Sequence, residues 1–338
     1  MSESICRWGI LGAADIARKN WQAIRNASNG TLTAVASRDL ERCRRFVAQC
    51  QSCVPFSPPP RACGSYEELL SLDGVDAVYL PLPTVVRKPW AIRAAEAGKH
   101  VLVEKPLGLR RADCEPAIAA AAAAGTTAGC AYYRRLYPAF RHTQEFLASG
   151  QLGRLVLGRL VCYSWWAPAA DDPKRWRVVR AEGGGGPLAD VASHMLDVLV
   201  GLAGMPTKVQ AYCAALVHGW DVEDTATVAL EMPDGAQISG AFAWSCGAWR
   251  HEFELVGSQA RVSWQPFDSG KVIITAGRDI RELDLPPAAN VHLPLVEDFV
   301  EAVRTGRSPA CPLAEAARTN ALLDAVYAAA STGVEVCL

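Results

Sequence analysis

The feature that most narrows the fold is a strict alternation over the first 125 residues. Short runs rich in β-branched and aliphatic residues, "CRWGIL", "TLTAVAS", "AVYLPL" and "HVLVEKP", take turns with segments of helical period, one from about Asp15, then "LERCRRFVAQC" and "PWAIRAAEAG". A strand that leads through a helix into the next strand returns by a right-handed crossover, so the strands lie parallel with both sheet faces covered. The proline cluster in "VPFSPPPRACG" reads as a surface loop, because proline cannot continue a helix.

After Gly125 the pattern changes to longer alternating strands: "GRLVLGRLVCYSWW", "TKVQAYCAALV", "TATVALEMPDGAQISGAFAW" and "HEFELVGSQARVSW". The third of these turns at Pro233-Asp234-Gly235, and neighbours joined by tight turns form an antiparallel sheet with one packed and one free face. A helix over "PLADVASHMLDVLVGLAG" interrupts the strands, and "PLVEDFVEAVRTG" and "LAEAARTNALLDAVYAAASTG" close the chain as helices. The expected fold class is α/β followed by α+β. Residues 1–125 form a doubly wound parallel sheet of Rossmann type, and residues 126–338 form a second domain on a large, open, mostly antiparallel sheet. The closing helices are free to pack back on the first domain. A chain of 338 residues suits two domains, and the free sheet face is a natural interface for a homodimer or homotetramer.

The chemistry starts at "GILGAADIA", residues 9–17, a near match to the glycine fingerprint of a nucleotide-binding turn. Gly12 takes the tight turn, while Ala14 and Ala17 stand where the second and third glycines would be. Such a turn presents backbone N–H groups and a helix N-terminus to a pyrophosphate, so Gly12, Ala13, Ala14, Asp15 and Ile16 are candidate cofactor contacts. The adenosine-ribose contact of this fold lies at the end of the second strand, where this chain has Ser37 and Arg38, 25 residues after Gly12. A hydroxyl beside a guanidinium, with Arg42 one turn further, offers donors to a 2′-phosphate where a carboxylate would hold a ribose diol, so NADP(H) is favoured over NAD(H).

Other classes find little support. There are 34 Lys plus Arg against 35 acidic residues, so no charge excess favours nucleic acid or an anionic membrane. Apolar stretches such as "AIAAAAAAG" fall well short of the roughly 20 residues of a membrane span, and the N-terminus lacks the pattern of a secretion signal, so a cytoplasmic protein is expected. Twelve cysteines are scattered from Cys6 to Cys337 with a single C-x-x-C at Cys50–Cys53, which reads as free thiols and no metal site.

Taken in order, "GILGAADIA", "AVASRDLER", "VDAVYLPLP", "AAEAGKHVLVEKPL", "GGGGPLADVASHMLD" and "VEDFVEAVRTGRSPA" resemble the Gfo/Idh/MocA family of NAD(P)-dependent sugar and polyol oxidoreductases over most of the chain. The resemblance makes Lys105 the catalytic lysine, placed by "EKP" at the carboxyl end of its strand, and Asp190 with His194 the family's D-x-x-x-H pair, one helical turn apart. It also implies cofactor contacts from Leu82, Pro83, Glu104 and Lys105, and from Trp176 and Arg177, which match a "W-R" pair of the branch resembling 1,5-anhydrofructose reductase. Tyr133 joins Lys105, Asp190 and His194 as a candidate substrate contact. The glycines after Trp176 and Arg177 read as a mobile flap, and Asp197 is left out of the catalytic set.

After "PLP" the family often has an Asn and, three residues later, a His, whereas this chain has Thr84 and Arg87. The resulting expectation is hydride transfer between a nicotinamide and a secondary alcohol or ketone of a sugar or cyclic polyol. The alternative is a non-catalytic NAD(P) sensor on the same fold.

Overall fold

In the computed structural model, which describes residues 5–338, the chain divides into two compact units. One takes the chain to Gly108, Ala112–Tyr133 and Ala288–Ala317; the other takes Leu109–Arg111, Arg134–Pro287 and Arg318–Leu338.

The elements of the first sheet follow one another as the alternation requires: β1 (Cys6–Leu11), α1 (Asp15–Asn26), β2 (Gly30–Ala36), α2 (Leu40–Cys53), β3 (Arg61–Cys63), α3 (Tyr66–Leu70), β4 (Ala77–Leu80), α4 (Thr84–Glu96), β5 (His100–Val103), α5 (Arg111–Ala123) and β6 (Ala128–Cys130). The strand order is β3-β2-β1-β4-β5-β6, every pair parallel. The central strands are apolar on both faces, as a sheet covered on two sides demands: Val78, Leu80, Val101 and Val103 are buried on one face among Ala91, Ala94 and Ala117, and the alternate residues Tyr79 and Leu102 are buried on the other.

Two local readings are corrected here. The proline-rich loop contains a strand, β3, because Arg61–Cys63 find a parallel partner in Ala34–Ala36. The unit also runs past Gly125, since β6 pairs with β5 as an edge strand and Ala288–Ala317 come back to it from late in the chain.

The second sheet is built from β7 (Leu155–Trp165), β8 (Lys208–Ala214), β9 (Thr225–Glu231), β10 (Gln237–Ala243), β11 (Ser245–Gly257), β12 (Arg261–Trp264), β13 (Lys271–Ala276), β14 (Asp279–Asp284) and β15 (Val336–Cys337). Its order is β14-β13-β12-β11-β7-β10-β9-β8-β15, antiparallel throughout except where β10 runs parallel to β7. Helices α6 (Pro138–Ala148), α7 (Arg180–Gly183) and α8 (Ser193–Ala203) belong to the same unit. Of the closing helices, α9 (Leu293–Thr305) lies in the first unit, where Phe299 packs on Trp8 at 5.4 Å between ring centroids, and the unit boundary falls inside α10 (Leu313–Thr332).

The helical stretch Arg180–Ala203 is long and apolar enough to cross a membrane by length and composition, yet 72% of its most apolar window is buried inside the protein, the pattern of a core helix. All twelve cysteines are free thiols.

Candidate active site

In the order β3-β2-β1-β4-β5-β6, the connections leave β1 and β4 toward opposite sides, and the crevice this opens at their carboxyl ends is where such sheets take ligands. The residues just beyond those ends are Gly12 and the Pro81–Leu82–Pro83 turn. Gly12 has φ +135°, and a Cβ there would stand 3.2 Å from Leu82 Cδ2, so both conformation and space call for glycine. The chain then enters α1 through Ala14, which makes no side-chain cap, so the first-turn N–H groups meet no competing side-chain acceptor at that cap. Ala17 is fully buried behind the turn. Two alanines therefore leave the turn intact, and this backbone cradle fits a dinucleotide pyrophosphate.

At the end of β2, Ser37 is buried and Arg38 exposed. Arg42 is exposed too, and its Nη2 donates to the carbonyl of Ala13 at 3.2 Å, which sets a guanidinium against the turn itself. Asp39 caps α2 by accepting from the N–H of Arg42 at 3.0 Å.

Lys105 is half-buried just past β5. The carboxylate of Glu104 before it is buried. One oxygen accepts the hydroxyl of Tyr79 at 2.6 Å and the other the N–H of Lys105 at 3.2 Å. Burial, and then the Glu104 charge beside it, pushes the Tyr79 hydroxyl well above its ordinary range, so Tyr79 remains a donor. Glu104 thus props the backbone under Lys105 from inside the unit. Thr84 opens α4 and is buried. Arg87 is buried as well; its Nε donates to the carbonyl of Leu82 at 2.8 Å and its Nη1 to the carbonyl of Pro106. Tyr133 is half-buried, its ring centroid 5.0 Å from that of His292.

In the second unit, Asp190 sits in a π-helical turn, Leu188–Ala192, that runs straight into α8, and His194 is the buried second residue of α8. The expectation of one regular helix across the pair is corrected at this point: the turn that carries Asp190 is wider than an α-turn. Asp190 pairs with Arg177 at 3.1 Å, and the Arg177 guanidinium lies 4.8 Å over the ring of Trp176. Both come from a 3-10 turn, Arg175–Val178, so Trp176 and Arg177 are brought to Asp190.

The glycines before this turn are packed rather than left as a mobile flap. Glu223 Oε1 accepts the N–H groups of Gly186 at 2.9 Å and Leu188 at 3.2 Å and the hydroxyl of Tyr327 at 3.0 Å. A Cβ on Gly185 would lie 1.8 Å from the Tyr327 oxygen, and one on Gly186 would lie 1.9 Å from the Glu223 carbonyl oxygen. Burial pushes the Glu223 carboxyl up, and its hydrogen bonds only partly offset that. Asp197 is fully buried, held by two Arg135 nitrogens at 2.9 and 2.8 Å and by Thr319 at 3.1 Å, which is a structural role. Arg134 likewise makes two 2.7 Å bonds to Asp268.

Glu223 and Tyr327, and the partners of Arg87, are what sequence reasoning missed. The partners lie 19 residues apart for Arg87 and Pro106 and 104 for Tyr327 and Glu223, and no local pattern announces such pairs.

Comparison with known proteins agrees with this architecture. Residues 6–132 match the family model described as oxidoreductase family, NAD-binding Rossmann fold, and residues 140–263 match that of the GFO/IDH/MocA C-terminal domain. The chain is 31% identical to dTDP-3,4-didehydro-2,6-dideoxy-alpha-D-glucose 3-reductase of Streptomyces antibioticus over 89% of each chain. It is also 31% identical to 1,5-anhydro-D-fructose reductase of Ensifer adhaerens, over 57% of this chain and 55% of that one. Among solved structures it is similar to aldose-aldose oxidoreductase from Caulobacter crescentus, complexed with glycerol, with a TM-score of 0.87 and 26% identity over 99% of this chain and 100% of that one. With two family models covering most of its length, the chain belongs to the Gfo/Idh/MocA family and is a nicotinamide-dependent oxidoreductase acting on CH–OH groups.

Proposed function

We propose that this enzyme is NADP(H)-dependent and transfers hydride between the nicotinamide and a secondary alcohol or ketone of a sugar or cyclic polyol. The observation that carries the reading is the half-buried Lys105 at the carboxyl tip of β5, in a sheet whose switch point is lined by Gly12, the uncapped start of α1 and the Leu82–Pro83 turn. Bound there, the nicotinamide supplies or accepts the hydride. The Lys105 ammonium donates a hydrogen bond to the reacting oxygen and stabilises negative charge developing on it. His194 holds the hydroxyl proton, taking it during oxidation and returning it during reduction. Asp190, its charge balanced by Arg177, fixes the sugar hydroxyls or the imidazole.

Support for NADP(H) comes from Ser37, Arg38 and Arg42 at the end of β2, where two exposed guanidiniums match a 2′-phosphate. The sugar class rests on the names of the relatives. The experiment is to mix the purified enzyme with NADPH or NADH and a panel of keto-sugars and follow the reduced-nicotinamide absorbance. NADPH consumption with at least one keto-sugar, faster than NADH consumption, is expected; no turnover across a broad panel with either coenzyme overturns the reading.

We further propose that the enzyme is a homodimer or homotetramer joined through the open face of the second sheet. Leu157 on β7 and Tyr212 on β8 are 50% and 79% exposed there, which is unusual for large apolar side chains on a central sheet. A single monomeric species by light scattering would refute it. The twelve free thiols support placement in the reducing cytoplasm, which cell fractionation tests.

A further inference from the structure

We infer that Arg87 is the positioning residue of the site: one buried guanidinium sets the Leu82–Pro83 turn and the Lys105 segment in a fixed relation to each other. The proposal rests on the role given to Lys105 above.

Arg87 belongs to α4, which starts at Thr84 immediately after the Leu82–Pro83 turn. Its side chain turns back along the start of the helix. Nε donates to the carbonyl of Leu82 at 2.8 Å, and Nη1 donates to the carbonyl of Pro106, the residue after Lys105. Only 3% of the residue is exposed. The two carbonyls belong to the loops that follow β4 and β5, neighbouring parallel strands whose ladder runs from Ala77 opposite His100 to Leu80 opposite Val103 and ends there. One residue past that ladder the Glu104 N–H still donates to the Leu80 carbonyl at 3.2 Å, and further out the planar fork of Arg87 spans the two loops.

The fork matters because guanidinium directs several donors in fixed, divergent directions, whereas lysine offers one point charge on a flexible stem and glutamine one amide. Charge-assisted bonds to backbone carbonyls are stronger than neutral ones, and burial shields them from water. Glu104 supports the same segment from the side of Tyr79, so the backbone on both sides of Lys105 is held by buried polar side chains. A shift of about 1 Å in a catalytic group costs on the order of 100-fold in rate.

The test compares Arg87→Ala, Arg87→Lys and Lys105→Ala with the unaltered enzyme. Hydrogen exchange by mass spectrometry needs no substrate: in Arg87→Ala, amides of residues 82–86 and 105–108 should both exchange about tenfold faster while the strands of the second sheet keep their protection. With the keto-sugar found by the panel, kcat should fall about 100-fold and the KM for NADPH should rise, with no comparable change in the KM for the sugar. Millimolar guanidinium chloride should restore part of the rate in Arg87→Ala, and Arg87→Lys should recover less than the guanidinium does. Wild-type exchange in the 105–108 segment, or a rate loss that accompanies a uniform rise in exchange over the whole first unit without rescue, overturns the proposal. A wild-type Arg87→Ala beside an inactive Lys105→Ala sinks the role of Arg87 alone, whereas a fully active Lys105→Ala sinks the reading on which it rests.

Discussion

Removing the Glu223 side chain should unfasten the turn that carries Asp190. In Glu223→Ala the N–H groups of Gly186 and Leu188 and the hydroxyl of Tyr327 lose their shared acceptor inside the protein. A buried donor left unmet costs about 1–3 kcal/mol, and the Leu188 bond at 3.2 Å is the weakest of the three, so the total comes to roughly 3–6 kcal/mol. At about 2–4 °C per kcal/mol, Tm should fall by roughly 10 °C. Tyr327→Phe removes one donor and should cost only about 1 kcal/mol. The two changes should not add, because Glu223→Ala has already deprived Tyr327 of its acceptor.

Glu223→Gln separates charge from hydrogen bonding. Its amide oxygen can accept the same three bonds, and burial no longer disfavours a charge. Since burial raises the Glu223 carboxyl in the folded state, the native protein holds this proton to higher pH than the unfolded chain does. Wild-type stability from this group therefore falls as pH rises from the unfolded carboxyl value, about 4.3, through the folded one, and Gln abolishes that slope. The Tm of Glu223→Gln relative to wild type should be more favourable at pH 8 than at pH 4. Thermal melts of the three variants at both pH values test this. A fall below about 2 °C in Glu223→Ala, or a Gln variant whose relative Tm declines with pH, would refute the reasoning.

Three further outcomes are expected. Gly12→Ala places a methyl 3.2 Å from Leu82 on a backbone at φ +135°, and strain of about 1–3 kcal/mol in the turn should lower Tm by several degrees and weaken NADPH binding about tenfold or more, read by thermal melts and nicotinamide fluorescence titration. Arg38→Ala should weaken NADPH about tenfold and NADH less than threefold; equal losses would remove Arg38 from 2′-phosphate recognition. Arg135→Ala strands the fully buried Asp197 and should cost about 3–5 kcal/mol by denaturant titration, part of which the double variant Arg135→Met, Asp197→Leu should recover.

The parallel sheet was legible because each of its central strands is an apolar run bounded by helical periodicity, a signal contained within a dozen residues. The hairpin β13–β14 was not: Asp279–Asp284 reads "DIRELD" and is largely exposed, so it lacks the alternation that a packed strand writes into sequence. The glycine run at Gly183–Gly186 invites the reading of flexibility, yet its glycines accommodate Tyr327 and Glu223, and neither neighbour can be guessed from the run itself. Asp190 and His194 were found by spacing, but the π turn between Leu188 and Ala192 has no pattern of its own. Lys105 shows the division most clearly. Strand placement put the tripeptide at the end of β5, family resemblance gave it a role, and the hydrogen bonds of Glu104 and Arg87 that support its backbone emerge only in three dimensions.

The central claim, that Lys105 assists hydride transfer, is tested most directly by single-turnover stopped flow. Enzyme saturated with NADPH is mixed with the keto-sugar that the panel identifies, and Lys105→Ala is compared with the unaltered enzyme. The account predicts hydride transfer slower by about 1000-fold with NADPH affinity changed no more than a few-fold. An undiminished rate in Lys105→Ala would contradict it.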